Sequence, residues 1–443
     1  MLPSRLKYGL AATAALCSCS AYAAGFLQLY SEARESDPRY VAAKADVDFA
    51  QSLVVQSRGQ LLPQIGITGS QIKNDTDNEQ RTILGTVNRE YSFTSKNASL
   101  NLSQALFRPQ AWVGYGQSKA QVLVSEEQLR QARQDLILRL AQAYFDVLLA
   151  EVNVSLAREQ KGAIAEELKR ALRQFEAGVG TVTDINEAQA RHDLIAAQEV
   201  TAKNTLEAKI HALAIIVGKV YWDIKQFKER PPLEKPEPAD VEHWVDFALN
   251  NNPALQAKTG LVQVADLEVR KTFSGHLPTV DLVAGRSYAQ DPSFTNLNST
   301  AWSNTVGIQV GIPIFSGGTT QGRVNQAQAS RDRATQELEQ VRRDVVQGTR
   351  QEYLNVVSGL VQVPAYEQAV KSNEIALYSA KKGQEAGLRT SFDVLNAQQL
   401  VFGARRDQAQ AIYNYLLARL KLRAAAGLLG DDDVAQMEQW LSR

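Results

Sequence analysis

The chain describes itself twice, and that duplication limits its possible folds more than any other feature. Asp37-Pro38 near the start is answered by Asn252-Pro253, and each is followed 25 residues later by a second proline, in Leu62-Pro63 and Leu277-Pro278. Ala105-Leu106-Phe107 corresponds to Pro313-Ile314-Phe315, Tyr144 to Tyr353, and Glu176-Ala177-Gly178 to Glu385-Ala386-Gly387. Thr183-Asp184-Ile185 corresponds to Phe392-Asp393-Val394, so the offset stays between 208 and 215 residues throughout. An ordered series at a nearly constant offset is the mark of an internal repeat. The repeats span 24–227 and 241–430, and residues 431–443 form a C-terminal tail. Between the repeats, 228–240 holds Pro231, Pro232, Pro236 and Pro238, a density that forbids regular helix and marks a linker.

Each half has the same order: a helix, an extended region, a very long helix, a tight turn and a medium helix. The first helices are expected over Ala42–Gln60 and Ala254–Phe273, each stopped by its Leu-Pro. Hairpins are expected over about 64–107 and 278–315, because Val306, Ile308, Val310, Ile312 and Ile314 alternate with other residues, and Ile65, Ile67, Leu100 and Leu102 do so more weakly. Polar Lys73–Glu90 and Gln290–Ser303 are expected as the hairpin loops. Four strands cannot close a barrel alone, since about eight is the smallest workable number. The strands form either a small sheet resting on helices or one part of a shared membrane barrel.

The long helices are expected over about 117–176 and 323–384, followed by helices over about 181–217 and 390–429. Leu136, Leu140, Ala143, Val147, Ala150, Val154 and Ala157 recur at spacings of four and three, a stripe that buries against neighbouring helices. Sixty residues of helix make roughly 90 Å of rod at 1.5 Å each. Gly359 and Pro364 predict a kink in the second rod.

Residues 1–23 form an export signal: Arg5 and Lys7, an apolar Gly9–Leu16, then Ala21-Tyr22-Ala23 as the cleavage pattern. Both cysteines, Cys17 and Cys19, lie inside it, so the mature chain has no thiol chemistry. A lipoprotein signal with attachment at Cys19 is the alternative. Cleavage leaves 46 basic against 48 acidic residues, a net charge of −2 that points to no nucleic-acid partner. No downstream run is long and apolar enough for a spanning helix, so a membrane crossing has to be a β-barrel.

No catalytic, cofactor or metal pattern stands out. His192, His211, His243 and His276 have no metal-ligand spacing, and Gly317–Gly322 is followed by Arg323-Val324 where a phosphate loop needs Lys and Ser or Thr. The chain does not read as an enzyme.

The duplicated layout, the Leu-Pro hairpin entries and the paired helix turns resemble the TolC family of outer-membrane efflux and secretion channels. The resemblance spans nearly the whole mature chain. Its most specific stretch is Ala386-Gly387-Leu388-Arg389-Thr390-Ser391-Phe392-Asp393-Val394-Leu395-Asn396-Ala397, mirrored by Phe175-Glu176-Ala177-Gly178 with Thr183-Asp184. Tyr413-Asn414-Tyr415-Leu416 and Ala425-Ala426-Gly427-Leu428 add to it.

The resemblance implies a mainly α fold with a membrane β-barrel portion. Three copies would supply twelve strands to a barrel and twelve antiparallel helices to a periplasmic tunnel, whose tip closes like an iris. Carried over, Arg389 would bond Thr183 and Asp184, Asp393 would form an acidic ring in the pore, and Gly178 and Gly387 would make the turns. Mutual repulsion in such a ring would raise the Asp393 pKa. The family's best-known members have a tyrosine at the position of Gln384 and a second acid at Asn396, so this tip would be differently tied.

The implied function is a passive exit duct for small molecules or unfolded proteins. It would work with a periplasmic adaptor and an inner-membrane RND transporter or ABC-type secretion ATPase. A coiled-coil periplasmic adaptor and a diffusion porin are the alternatives. Adaptors usually carry one helical hairpin, and porins are almost all strand.

At the turns themselves, Asp184 with Glu187 and Thr390 with Asp393 have the form of capping boxes, whatever their role in a gate.

Overall fold

The computed structural model describes residues 24–83, 85–228, 231–290 and 299–441. The expected export signal and Cys19 lie outside the described residues.

Each repeat opens with two helices rather than one. In the first, α1 (Phe26–Ser36) meets α2 (Pro38–Gly59) at Asp37; in the second, α5 (Val241–Asn251) meets α6 (Pro253–Phe273) at Asn252. The proline sits at the first position of the second helix, where its missing N–H costs nothing. The residue before it is the cap: Asp37 accepts from Tyr40 N–H at 3.0 Å, and Asn252 from the N–H groups of Ala254 and Leu255 at 3.0 and 3.2 Å. This moves the start of the first helix from the expected Ala42 back to Pro38.

Strands β1 (Gln64–Thr82) and β2 (Gly85–Phe107) form one unbroken antiparallel ladder from Gln64↔Ser103 to Thr82↔Gly85. Residues 73–82 and 85–90 of the expected loop Lys73–Glu90 are therefore strand, which corrects the sequence reading. Their polar side chains pair with strand-forming partners across the ladder, as in Thr76↔Tyr91, Asn74↔Phe93 and Gln80↔Val87. In the second repeat β3 (Thr279–Gln290) pairs with β4 (Thr300–Gly311); residues 291–298 of the expected loop lie outside the described residues. Strand β4 stops short of Phe315 because Pro313 cannot donate to a ladder. The sheet order is β1-β2-β3-β4, with β2 pairing to β3 to join the repeats and both outer edges open.

Below the sheet run α3 (Pro109–Glu176) and α7 (Thr319–Glu385), each followed by a shorter antiparallel partner, α4 (Val182–Val217) and α8 (Ser391–Ala425). Helix α3 begins eight residues before the expected Gln117, again with proline at its first position. At 1.5 Å per residue both rods are about 100 Å long. Helix α7 continues through Gly359 and Pro364. Gly359 serves close packing, because a Cβ there would lie 3.1 Å from the Tyr415 side chain on α8.

Leu136, Leu140, Val147, Ala150, Val154 and Ala157 are buried on α3, with Ala143 partly buried beside them. Leu136, Leu140 and Val147 pack with Phe26 and Leu29 of α1, Ile210 and Leu213 of α4, and Tyr415 and Leu422 of α8. One 18-residue window of α3 is apolar enough for a membrane, but half of it is buried in this core. The tail contains a further helix, α9 (Asp431–Trp440), absent from the sequence reading; its Val434 and Met437 join the same core. The proline-rich linker is held by side chains reaching it from these helices. Tyr353 donates to Ala239 O, Tyr415 to Glu234 O and Trp244 to Pro238 O, while Tyr144, the repeat counterpart of Tyr353, donates to Lys225 O just ahead of the linker.

Candidate functional site

The two turns that end the long helices are built alike. Helix α3 closes with Gly178 N–H to Phe175 O at 2.9 Å and Val179 N–H to Gln174 O at 3.0 Å; α7 closes with Gly387 N–H to Gln384 O at 3.0 Å and Leu388 N–H to Gly383 O at 2.8 Å. Gly178 and Gly387 take φ of +75° and +72°, the left-handed region where a side chain is strained. Gly180 is needed for space, since a Cβ would come within 2.8 Å of Phe175 N.

Each following helix starts with a threonine–aspartate box. Asp184 N–H donates to Thr181 Oγ1 (3.2 Å), and the Thr181 hydroxyl donates to Asp184 Oδ2 (2.7 Å). The same bonds link Asp393 and Thr390 at 3.3 and 2.9 Å. The cap of α4 is thus Thr181, with Asp184 at the third helical position, one turn earlier than the expected pairing of Asp184 with Glu187.

Within one chain Arg389 does not reach Thr183 or Asp184. Its guanidinium stands 3.8 Å from Asp393, four residues on, and Thr183 is exposed. The Asp393 carboxyl is held below the usual aspartate range by the Thr390 backbone N–H and hydroxyl, with Arg389 adding to them. That direction is opposite to the one expected for a ring of three, whose repulsion exists only between copies.

The sequence reading missed the contacts that tie the two turns together. Glu167 on α3 is almost wholly buried, and Gln384 on α7 donates to it at 2.5 Å and to Ser391 Oγ at 3.0 Å. Arg170 donates to Gln384 Oε1 at 2.7 Å and lies 3.6 Å from Glu167. On the other side Arg191 of α4 donates to Asn396 Oδ1 (2.6 Å) and Gln399 Oε1 (3.0 Å) of α8, with Phe392 under its guanidinium at 5.4 Å. The two departures from the family pattern, Gln384 and Asn396, are therefore the acceptors that bind Arg170 and Arg191. Both contacts are long-range, and only the absence of a tyrosine and of a second acid at those positions hinted at them. Ile164, Ala188, Ile195 and Leu395 form a small apolar cluster beside them. Above it, a groove of about 890 Å³ opens between the helix pairs, lined by Gln198, Ala202, Tyr366, Asn373 and Gly403 among others.

At the opposite end the sheet has two unlike faces. Ile65, Ile67, Leu100, Leu102, Leu282, Ala284, Val306, Ile308 and Val310 share one; Thr68, Ser70, Asn97, Ser99, Asn101, Ser287 and Thr305 are among those on the other. Ile67, Val306 and Ile308 are 79, 81 and 66 % exposed, too much apolar surface to leave in water.

Residues 29–219 and 244–428 match the family model described as outer membrane efflux protein, one block per repeat with the linker left out. The chain belongs to the outer membrane efflux protein family.

Among relatives, it is 32 % identical to the alkaline protease secretion protein AprF of Pseudomonas aeruginosa over 94 % of this chain and 86 % of that one. It is also 32 % identical to the outer membrane protein TolC of Vibrio cholerae, over 96 % and 95 % of the two chains. Among solved structures it superposes on CusC with a TM-score of 0.77 at 19 % identity (91 % of this chain, 92 % of that one). It superposes on VceC of Vibrio cholerae at 0.76 and 18 % identity, covering 91 % and 96 %. This efflux-family chain is therefore an outer-membrane channel protein of a Gram-negative bacterium, with the fold and exit-duct function of its relatives.

Proposed function

We propose that three copies of the chain assemble into one duct. The observation that carries this is the four-stranded sheet, with an exposed apolar face and two open edges. Such a sheet is stable in lipid only if β1 of one copy pairs with β4 of the next until the ring closes. Twelve strands then form the barrel, lipid covers the apolar face, and α3, α4, α7 and α8 of each copy form the periplasmic tunnel. The channel docks a periplasmic adaptor, and an inner-membrane RND transporter or ABC-type secretion ATPase supplies the energy. One relative is named for protease secretion and another is TolC, at the same identity, so cargo of either kind fits this reading.

The tip carries the gate. Glu167, Arg170 and Gln384 fasten the inner and outer helix pairs within one copy, while Arg389 of each copy reaches Thr183 and Asp184 of the next. Asp393 faces the pore as an acidic ring. Single-channel recording in planar bilayers tests this, with Arg389→Ser as the decisive variant because it leaves both capping boxes intact. Small cation-selective steps that enlarge in the variant are expected. Unchanged steps would reduce Arg389 to a helix-end residue, and no conductance from folded trimers would remove the channel reading.

A further inference from the structure

The apolar face of the sheet holds one charge. Leu100↔Arg286 and Arg286↔Asn304 are direct cross-strand pairs, and Ile67 pairs with Leu100, so Arg286 stands in the row of Ile67 and Leu100. Among the described residues, it is the only side chain charged at neutral pH on this face between the Val280↔Val310 and Lys96↔Gln290 pairs. One row further from the helices, Tyr288 pairs with Trp302, their rings 4.9 Å apart, and the Arg286 guanidinium lies 5.1 Å from the Trp302 ring centre. Lys96 follows one row beyond, paired with Gln290.

Two facts make this arrangement informative. Arg286 is exposed, and among the described residues no carboxylate forms an ion pair with its guanidinium. Tyrosine and tryptophan mark the headgroup level of a membrane, so the Tyr288–Trp302 pair sets the outer boundary of the apolar band. The helices leave the sheet at its other end, which puts this boundary in the outer leaflet. A guanidinium one row inside it is costly unless an anion meets it there.

We propose that Arg286, flanked by Trp302 and Tyr288 and supported by Lys96, binds the phosphate of an outer-leaflet glycolipid. The guanidinium fork matches two phosphate oxygens, while the aromatic face holds the cation within the apolar border. The lipid is the source of the phosphate because the site opens sideways from the apolar face, where acyl chains lie against Ile67 and Leu100. This site rests on the barrel reading given above.

Native mass spectrometry of the detergent-solubilised protein, titrated with bisphosphorylated lipid A, tests the site. The wild type should retain one lipid per protomer, and Arg286→Gln should bind about tenfold more weakly, with Arg286→Lys between them. Dephosphorylated lipid should erase the difference, and Arg331→Gln on α7 should behave as wild type. Equal retention by wild type and Arg286→Gln would overturn the proposal, as would displacement of the lipid by excess inorganic phosphate, which would mark a site for soluble anions. Both proteins are also inserted into planar bilayers. Failure of the wild type to insert would refute the barrel reading itself, whereas insertion with equal lipid retention refutes only the phosphate site.

Discussion

Asp37 and Asn252 occupy the same place in the two repeats and show how neighbours choose between a charge and its amide. Both cap a helix. Asp37 also receives both arms of Arg139, at 2.8 and 3.0 Å, whereas Asn252 donates to Ala425 O at 2.9 Å. Arg139 corresponds by the repeat offset to Gly348, so the second repeat has no cation there for an aspartate to meet. Asp37→Asn should keep the cap and lose the pair, leaving Arg139 partly buried without its anion. A loss of about 2 kcal/mol is expected, less than for a fully buried pair, and denaturant unfolding measures it. The Asp37 pKa is lowered chiefly by its hydrogen bonds with Arg139. A lowered folded-state pKa means stability that is complete above the unfolded value of 3.8 and lost as pH falls through the folded value. The variant should therefore show a flatter stability profile below about pH 4 than the wild type. A wild-type profile equally flat there would show that the pair contributes nothing.

At the scale of elements, the two rods meet their partners through positions that look unremarkable in sequence. Gly359 costs helix stability by propensity, yet it lets α8 approach until Tyr415 would touch an added Cβ. Gly359→Val should lower stability by about 1–3 kcal/mol through overpacking, measured as a lower unfolding midpoint with far-UV helix content unchanged. Stabilisation instead would mean that α8 yields and that propensity dominates. The tip contacts belong to this scale too, because Glu167 and Gln384 join helices from different repeats. Glu167→Ala removes a buried acceptor shared with Gln384, and Arg170 then loses its nearest carboxylate. It should speed proteolytic nicking at the 177–180 and 386–389 turns under native conditions. Unchanged cleavage would show that the capping boxes alone hold the tip.

For the whole molecule, rods of about 100 Å under a sheet whose shorter strands are 12 residues long set an elongated assembly roughly 130 Å or more in length. Electron microscopy of the detergent-solubilised protein should show hollow rods with threefold symmetry. Mild electrophoresis should show a band that drops to one chain on heating. Compact monomers by both methods would contradict the closure of β1 on β4.

The sequence by itself determined the duplicated plan, the strand alternation, the aliphatic stripe of α3 and the glycine turns. All of these are periodic or local, and backbone sterics and burial of one face act within a few residues of one another. Its reading of Lys73–Glu90 as loop failed because the strand-forming partners stand on the return strand, and pairing is not visible in a polar run taken alone. Only the tertiary structure decided which polar groups bind one another. Arg170 with Gln384, Arg191 with Asn396, and Arg286 beneath Trp302 are meetings between segments far apart in the chain, except that the last two share a hairpin. Such meetings depend on helix rotation and strand register, which packing of the whole chain sets.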